Sequence, residues 1–352
     1  MLHLPSKDKI RDFNEAIKKK LEKPDFNFRG VWFPDERSFK GFHFKQKVDF
    51  SYAEFSVGAD FDSTFDEDAD FTYAIFNGEA YFRYATFKAA LILRSATFNS
   101  HLRFGVEDEE KEDADAKRGF GEQASLDLQY ARIERPDQVA FNNLTLRPYW
   151  FVNVDSRKFD FTHVDWDWRG INEEVESLKA KRVLSPHRML SITYRHLAVN
   201  AEENHRYPEA SEFRYRAMNA QRLEKSGVFG FLRLSWWYWL ASGYGERTNR
   251  AALTLIGVWM LFALLYSWVG FARWEPKISS ESEVQTVNRD VTGAPLRPFS
   301  RALGYSAGVM LLQKPEPRPV TIAAQSFVIL ETILGPLQAA LLALAIRRKF
   351  MR

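Results

Sequence analysis

Residues 59–104 read ADFDSTFDEDADFTYAIFNGEAYFRYATFKAALILRSATFNSHLRF, and bulky apolar side chains recur in them with an unusual period. From Phe28 to Phe61 these anchors are separated alternately by five and six residues, and after a shorter step the spacing resumes up to Phe104. The anchors are Phe28, Phe33, Phe39, Phe44, Phe50, Phe55, Phe61, Phe65, Phe71, Phe76, Phe82, Phe87, Leu93, Phe98 and Phe104. Neither helical spacing nor simple strand alternation explains this period. Fixed repetition instead predicts a solenoid whose coils bury their anchors against each other.

A small residue often stands two positions before an anchor, as in the units ADFDS at 59–63, ADFTY at 69–73, ATFKA at 85–89 and ATFNS at 96–100. These units resemble the pentapeptide-repeat family, whose units read roughly A-[DN]-[LF]-x-x. The resemblance covers about Phe26 to Trp168 and implies a right-handed quadrilateral β-helix over residues 26–168, with the bulky residue inside. The alternative fold for the same residues is a β-sandwich of many short strands.

Helical patterns flank this region on both sides. Residues 1–25 are predicted to form a capping helix that begins at Ser6 and covers the open first coil. Residues 173–226 are predicted to form a helical hairpin connector with helices Pro186–Glu203 and Pro208–Lys225, similar to one tetratricopeptide-like hairpin. The charged stretch Val106–Arg118 is predicted to be a mobile loop inserted between coils. No apolar signal segment is expected near the N-terminus.

The C-terminal third has the composition of a membrane domain. Residues 227–246 are rich in Trp and Tyr and are predicted to form an interfacial amphipathic helix, with a buried core helix as the alternative. Two apolar spans, Ala251–Ala272 and Val320–Ile346, define a two-transmembrane domain over residues 251–346. Basic residues at the start of the first span and the end of the second predict a multi-pass protein with both termini and the β-helix cytoplasmic.

Between the spans, Phe299–Leu312 is too short to cross a bilayer and is predicted to be a re-entrant helix followed by an irregular segment. The motifs SGYGERTNR at 242–250 and LETILGPLQAALLALAIRRKF at 330–350 resemble the potassium-channel-like C-terminal domains found fused to bacterial pentapeptide-repeat proteins. Two helices cannot enclose a pore, so conduction requires an oligomer. The resemblance implies a pore domain assembled as a homo-tetramer in the bacterial inner membrane.

The potassium filter pattern TVGYG is replaced by LLQKPEPRP at residues 311–319, so potassium selectivity is not expected. The candidate residues of this filter-like loop are Gln313, Lys314, Glu316 and Arg318. Lys314 or Arg318 would favour anions and Glu316 would favour cations. A loop that conducts nothing is also consistent with the sequence.

The second span carries a polar face and a candidate hinge, formed by Gln325, Glu331, Gly335, Pro336 and Gln338. A glutamate in a membrane usually faces a partner or water. Glu331 could therefore line a vestibule, pair across a subunit interface, or make a structural hydrogen bond to a backbone group or a Gln side chain. Gly335 and Pro336 are predicted to kink the helix, either as a gating hinge or as a static bend.

Several functions are disfavoured by the composition. The sequence has no Cys and only seven His, and His187 and His196 lie on roughly opposite faces of one helix, so no metal site, cofactor or enzyme activity is expected. The net charge of +3 gives no reason to expect a nucleic-acid partner. Acidic residues are frequent near residues 49–70, and some pentapeptide-repeat proteins mimic DNA and inhibit topoisomerases with such a surface. A solvated face is the simpler interpretation here.

Two hypotheses about function remain. The first is an oligomeric ion channel, or channel-like protein, with a cytoplasmic pentapeptide-repeat domain as sensor or scaffold. The second is a membrane-tethered scaffold that conducts nothing and binds a protein partner through the β-helix. Both have the lipid bilayer as a partner.

Overall fold

The computed structural model describes residues 10–23, 25–106, 119–225, 230–272 and 293–350. The chain divides into two compact units, Met1–Glu224 and Lys225–Arg352. The predicted helix start at Ser6 lies outside the described residues, as does nearly all of the predicted mobile loop. Each unit is described here by itself.

The first unit is built mainly from very short strands, in keeping with a chain that turns a corner every few residues. The described strands are β1 Trp32–Phe33, β2 Arg37–Ser38, β3 His43–Phe44, β4 Val48–Asp49, β5 Glu54–Phe55, β6 Ala59–Asp60, β7 Thr64–Phe65, β8 Ala69–Asp70, β9 Ile75–Phe76, β10 Ala80–Phe82, β11 Thr86–Phe87, β12 Ala90–Ile92, β13 Thr97–Phe98, β14 Leu102–Gly105, β15 Gly119–Phe120, β16 Ser125–Asp127, β17 Arg132–Ile133, β18 Val139–Asn142, β19 Thr145–Leu146, β20 Asp160–Thr162 and β21 Asp165–Trp166.

Strand pairing confirms the predicted solenoid. Through most of the unit each strand pairs in parallel with the fourth strand after it, which gives the sheets β1-β5-β9-β13-β17, β2-β6-β10-β14-β18-β20, β3-β7-β11-β15 and β4-β8-β12-β16, and a short pair β19-β21. The partners in the early coils are 21 or 22 residues apart, as in Arg37↔Ala59↔Ala80. The longest sheet has six strands, so the solenoid has about six coils. The β-sandwich alternative is wrong, because every one of these pairs is parallel.

The predicted anchors fill the interior as four columns of phenyl rings. The columns are Phe28, Phe50 and Phe71; Phe33, Phe55, Phe76 and Phe98; Phe39, Phe61, Phe82, Phe104, Phe141 and Phe161; and Phe44, Phe65, Phe87 and Phe120. Ring centroids within a column are 4.6 to 5.5 Å apart. This spacing matches the separation of paired strands, about 4.7–4.9 Å, so each coil places its rings directly on those of the next coil.

Helices pack against both ends of this core. Helix α1 (Ile10–Glu22) buries Phe13 and Ile17, and the ring of Phe13 meets that of Phe33 edge-on at 5.7 Å. At the other end lie α2 (Ile171–Ala180), α3 (Pro186–Glu203) and α4 (Tyr207–Glu224). The side-chain amide of Asn200 donates to the carbonyls of Ser156, Arg157 and Phe159 at 3.3, 3.0 and 2.6 Å.

The hairpin formed by α3 and α4 occurs where the sequence predicted it, and it shares one hydrophobic core with the solenoid. Trp166 and Trp168 of the last coil contact the ring of Phe213 at 5.1 and 5.0 Å. These contacts close the open edge of the final coil, which would otherwise expose unpaired backbone groups.

A buried acid lies at this closed end. Glu174 is fully buried, and its Oε2 accepts a hydrogen bond from the Tyr194 hydroxyl at 2.5 Å, while Oε1 has no partner. The charged groups acting on it are Arg216 of α4, Asp167 of the last coil and Glu173 of its own helix. Burial raises the pKa of Glu174 to about 7, because the hydrogen bond from Tyr194 and the charge of Arg216 offset only part of the cost of desolvation.

Glu174 is therefore expected to make stability fall as pH rises from its ordinary pKa of 4.5 to about 7. In that window the folded chain holds a proton that the unfolded chain has lost, so the free energy of unfolding decreases by up to about 3 kcal/mol. Glu174→Gln should flatten this slope, as measured by urea unfolding at several pH values. Glu176→Gln, on the exposed side of the same helix, is the control, and an unchanged slope in Glu174→Gln would contradict the assignment.

The second unit is helical in its described part. A short 3-10 turn, Gly230–Leu232, precedes α5 (Leu234–Ser242), α6 (Thr248–Tyr266), α7 (Phe299–Met310) and α8 (Ile322–Phe350). Helix α6 ends earlier than the predicted span, which ran to Ala272. Beyond this end, Phe271 is no longer helical and pairs with Ala294 on one side and Pro319 on the other.

Helices α6 and α8 are both long and apolar enough to cross a membrane. Their 19 and 29 residues extend about 28 and 43 Å at 1.5 Å per residue. Only 17% of the most apolar stretch of each helix is buried within the chain. Large apolar side chains therefore remain exposed on both helices: Leu253, Ile256, Met260, Leu261, Leu264, Ile322, Ile329, Leu330, Ile333, Leu337, Leu344 and Ile346.

Candidate functional site

Glu331 lies at the point where α6, α7 and α8 meet. It is completely buried; its Oε2 accepts a hydrogen bond from Tyr266 of α6 at 2.6 Å, and its Oε1 accepts one from Ser306 of α7. Ser306 also lies 3.2 Å from the carbonyl of Trp259. Both carboxylate oxygens thus have partners within the chain. These partners are hydroxyl groups of α6 and α7, not the backbone or Gln groups that the sequence suggested for a structural hydrogen bond.

Gln338 occupies a second buried polar position on α8. Its amide nitrogen donates to the carbonyl of Ala241 at 2.8 Å and to that of Ala251 at 2.9 Å. The first carbonyl belongs to the end of α5 and the second to the start of α6. Because a buried amide is costly to leave unpaired, these two bonds favour holding the α5–α6 turn against α8. Gln325, by contrast, is exposed.

The SGYGER motif forms the turn that Gln338 supports. Gly243, Tyr244 and Gly245 have φ values of 56°, 63° and 75°, a left-handed run that favours glycine at its two ends. The carbonyl of Tyr244 accepts hydrogen bonds from the Tyr238 hydroxyl at 2.9 Å and from Arg348 at 3.1 Å. Arg348 also donates to Glu246 at 3.2 Å. The start of α6 and the basic end of α8 are therefore joined on one side of the unit.

Helix α8 continues without interruption through Pro336 from Ile322 to Phe350. At Gly335 it passes very close to the end of α7, since a Cβ at that position would lie 2.9 Å from Met310 Cγ and 3.3 Å from Met310 Cα. The absence of a side chain at Gly335 is thus required for packing, whatever its role in bending.

Gly335→Ala is expected to lower stability by about 1–3 kcal/mol, because the added methyl group overpacks the contact with Met310. Thermal unfolding in detergent measures this, and adding Met310→Ala should restore part of the loss. Gly257→Ala on α6 is the matched control, since nothing lies within 4 Å of its Cβ position. Equal midpoints for the two single variants would show that the contact is not tight.

The filter-like loop folds back on the helix that precedes it. Leu312 has a φ of 58°, and the backbone N–H of Gln313 donates to the carbonyl of Gly308 at 2.9 Å, which closes the C-terminus of α7. Pro315 lies against Gly308, with carbon atoms 3.3 Å from the Cβ position of that glycine. The four candidate residues of the loop, Gln313, Lys314, Glu316 and Arg318, are all exposed.

A backbone junction anchors the far end of this loop. Phe271 and Ala294 exchange hydrogen bonds of 2.8 Å, and Ala272 donates to the carbonyl of Arg318 at 3.0 Å. The carbonyl of Gly270 accepts from Val320 and Thr321 at 3.3 Å. Sequence reasoning missed this junction, as it missed Tyr266 and Ser306. The sequence feature that could have indicated the junction is Gly270, which lies next to the last apolar residues of the predicted span.

A family model matches a short part of the chain. Residues 61–105 match the model described as Pentapeptide repeats (9 copies), and they contain strands β7 to β14 of the solenoid. This stretch consists of pentapeptide repeats. The same register of buried anchors continues on both sides of it. No curated protein and no solved structure matches the chain.

Proposed function

We propose that the chain is an integral membrane protein whose second unit assembles with other copies into an ion channel or channel-like pore, while the pentapeptide-repeat solenoid is a cytoplasmic scaffold or sensor. The observation that carries this proposal is the order of elements in the second unit. A helix too short to cross a bilayer, α7, packs against two long apolar helices, α6 and α8, which also contact each other. Within the described residues, the outer faces of α6 and α8 are exposed.

In the membrane, α6 and α8 cross the bilayer and α7 enters it from the far side without crossing. Irregular backbone such as the loop after α7 is tolerated at that depth only beside protein or water, which a surrounding oligomer provides. The contact of Arg348 with Glu246 supports a single cytoplasmic side for both basic ends. The solenoid is proposed to wind to the right, as parallel crossover connections nearly always do.

Membrane topology is testable directly because the chain has no cysteine to remove. Single cysteines at Lys314 and Lys349 would be treated with a membrane-impermeant maleimide in right-side-out vesicles. We expect labelling of Lys314→Cys from outside and of Lys349→Cys only after permeabilisation. Labelling of both from the same side would rule out this arrangement.

Conduction is tested by reconstituting the full chain in planar bilayers. The loop carries Lys314, Glu316 and Arg318, one net positive charge per copy, so a pore lined by it is expected to favour anions. Lys314→Glu should move the reversal potential in a salt gradient toward cation selectivity, whereas Lys349→Glu at the opposite end should change it little.

A second candidate function is a membrane-tethered scaffold that conducts nothing. The internal hydrogen bonds of Glu331 favour it, because they leave no carboxylate of α8 to face a pore. The absence of current at any potential, with the oligomer intact by native mass spectrometry, would support this scaffold and exclude the channel.

A further inference from the structure

One corner of the solenoid carries a row of exposed tyrosines. Five residues occupy this corner in successive coils: Gly30, Tyr52, Tyr73, Ser95 and Tyr130. The backbone hydrogen bonds show this, since the N–H of each of the first four donates to the carbonyl of the residue that precedes the next one in the row. The tyrosine stripe, defined as Tyr52, Tyr73 and Tyr130, has exposed fractions of 52%, 51% and 63%. The rings of Tyr52 and Tyr73 stack at 5.1 Å.

Packing does not explain these tyrosines. Tyr52, Tyr73 and Tyr130 have φ values of 58°, 60° and 59°, in the left-handed region that a bulky side chain rarely adopts. Gly30 occupies the same corner of the first coil with a φ of 65°. Glycine is the residue that this backbone conformation alone would favour. Each tyrosine therefore keeps a strained backbone while exposing more than half of its surface.

Three carboxylates flank the lower part of the stripe. Asp49 accepts hydrogen bonds from Ser51, Asp70 accepts them from Thr72, and Glu54 accepts one from Asn77. These uncharged donors orient the carboxylates, and no ion pair neutralises them within the described residues. The corner thus combines aromatic faces with carboxylates that make no ion pair in the described part of the chain, although Arg94 pairs with Asp127 farther along.

The chain itself shows which group such a surface accepts. The guanidinium of Arg29 lies over the ring of Tyr52, 5.2 Å from its centroid. Farther along the stripe, Ser95 occupies the corner of the coil between Tyr73 and Tyr130. The two tyrosines are therefore two coils apart, roughly 10 Å at the usual strand spacing. A planar guanidinium fits against an aromatic face in such a gap better than the compact ammonium of lysine does.

We propose that the tyrosine stripe binds an arginine-rich segment of a partner protein. Its guanidinium groups lie on the free faces of Tyr73 and Tyr130 and pair with Asp49, Glu54 and Asp70. This inference names the partner class for the scaffold role in the proposed function and rests on that role, but it does not depend on conduction.

The test uses the full-length protein in nanodiscs of zwitterionic lipid and a fluorescent nona-arginine peptide, followed by anisotropy. We expect saturable binding that weakens with salt, and a loss of about fivefold or more in affinity for Tyr73→Asn. Asparagine tolerates the left-handed backbone, so the unfolding midpoint should not fall. Gly41→Asn is the control, because Gly41 has a φ of 70° at another corner with open space around it.

Equal binding of nona-lysine together with unchanged affinity in Tyr73→Asn would overturn the proposal, since an acidic surface alone would then explain the binding. Preference for a polyproline peptide, or no binding of either cationic peptide, would overturn it as well. These results are independent of the bilayer recordings, so failure of the stripe and failure of the channel are distinguishable.

Discussion

Phe61→Ala is expected to destabilise the solenoid by about 3–5 kcal/mol, the usual cost of emptying a buried phenylalanine site. Phe61 is fully buried, and its ring stacks between those of Phe39 and Phe82 at 5.3 and 4.9 Å. The rings of Phe50 and Phe71 meet it edge-on at 5.6 and 5.0 Å. Backbone ladders hold the coils above and below at a fixed distance, so the cavity cannot close.

Hydrogen exchange of the full chain in detergent measures this effect coil by coil. Protection should fall most in peptides from the coils that contain Phe39, Phe61 and Phe82, because each coil contacts only its neighbours. Phe61→Leu is the control and is expected to lose much less, since it keeps most of the apolar volume. Similar protection in the two variants would show that the column is not closely packed.

Glu331→Ala is expected to cost about 3–5 kcal/mol. It removes the acceptor of the buried Tyr266 hydroxyl, leaves Ser306 only its 3.2 Å bond to the Trp259 carbonyl, and opens a cavity where three helices meet. The hydroxyls of Tyr266 and Ser306 both donate to this carboxylate. In the proposed membrane arrangement, no water is available at that depth to replace the carboxylate. Thermal unfolding of the detergent-solubilised protein, followed by size-exclusion chromatography, measures the loss.

Glu331→Gln is the informative control for this position. Its carbonyl oxygen still accepts from one hydroxyl, and its amide donates to the other, so most of the stability should return. If Glu331→Ala unfolds at the same temperature as the wild type, the three-helix junction does not depend on these hydrogen bonds. Loss of current in Glu331→Gln without loss of stability would instead indicate a role in conduction.

Local patterns in the sequence predicted the parts of the fold that repeat. Anchors such as Phe55 and Phe76 recur at the strand spacing of the solenoid, and the helices of the α3–α4 hairpin follow from apolar spacing alone. Such patterns depend on residues a few positions apart. These local patterns were sufficient to predict the solenoid, because the long-range pairing of its strands repeats with the same period.

Contacts that do not repeat were beyond the reach of this reasoning. Glu331 was singled out as a costly group in a membrane, but its partners Tyr266 and Ser306 lie 65 and 25 residues away in sequence. The end of α6 at Tyr266 was missed because apolar composition continues through Phe271, which is no longer helical and pairs with Ala294 and Pro319. Gly335 and Pro336 were predicted to bend the helix, either as a gating hinge or as a static bend, whereas the close approach of Met310 to Gly335 is visible only in three dimensions.

Because equivalent residues pair from coil to coil, the length of the solenoid can change by whole coils. Arg37, Ala59 and Ala80 occupy equivalent places in three successive coils. Deleting residues 59–79 would place Ala80 at the position that Ala59 now occupies, and it would shorten the solenoid by one coil, about 4.8 Å. Gene duplication or loss in multiples of this length could therefore change how far the solenoid extends while leaving both of its closed ends intact.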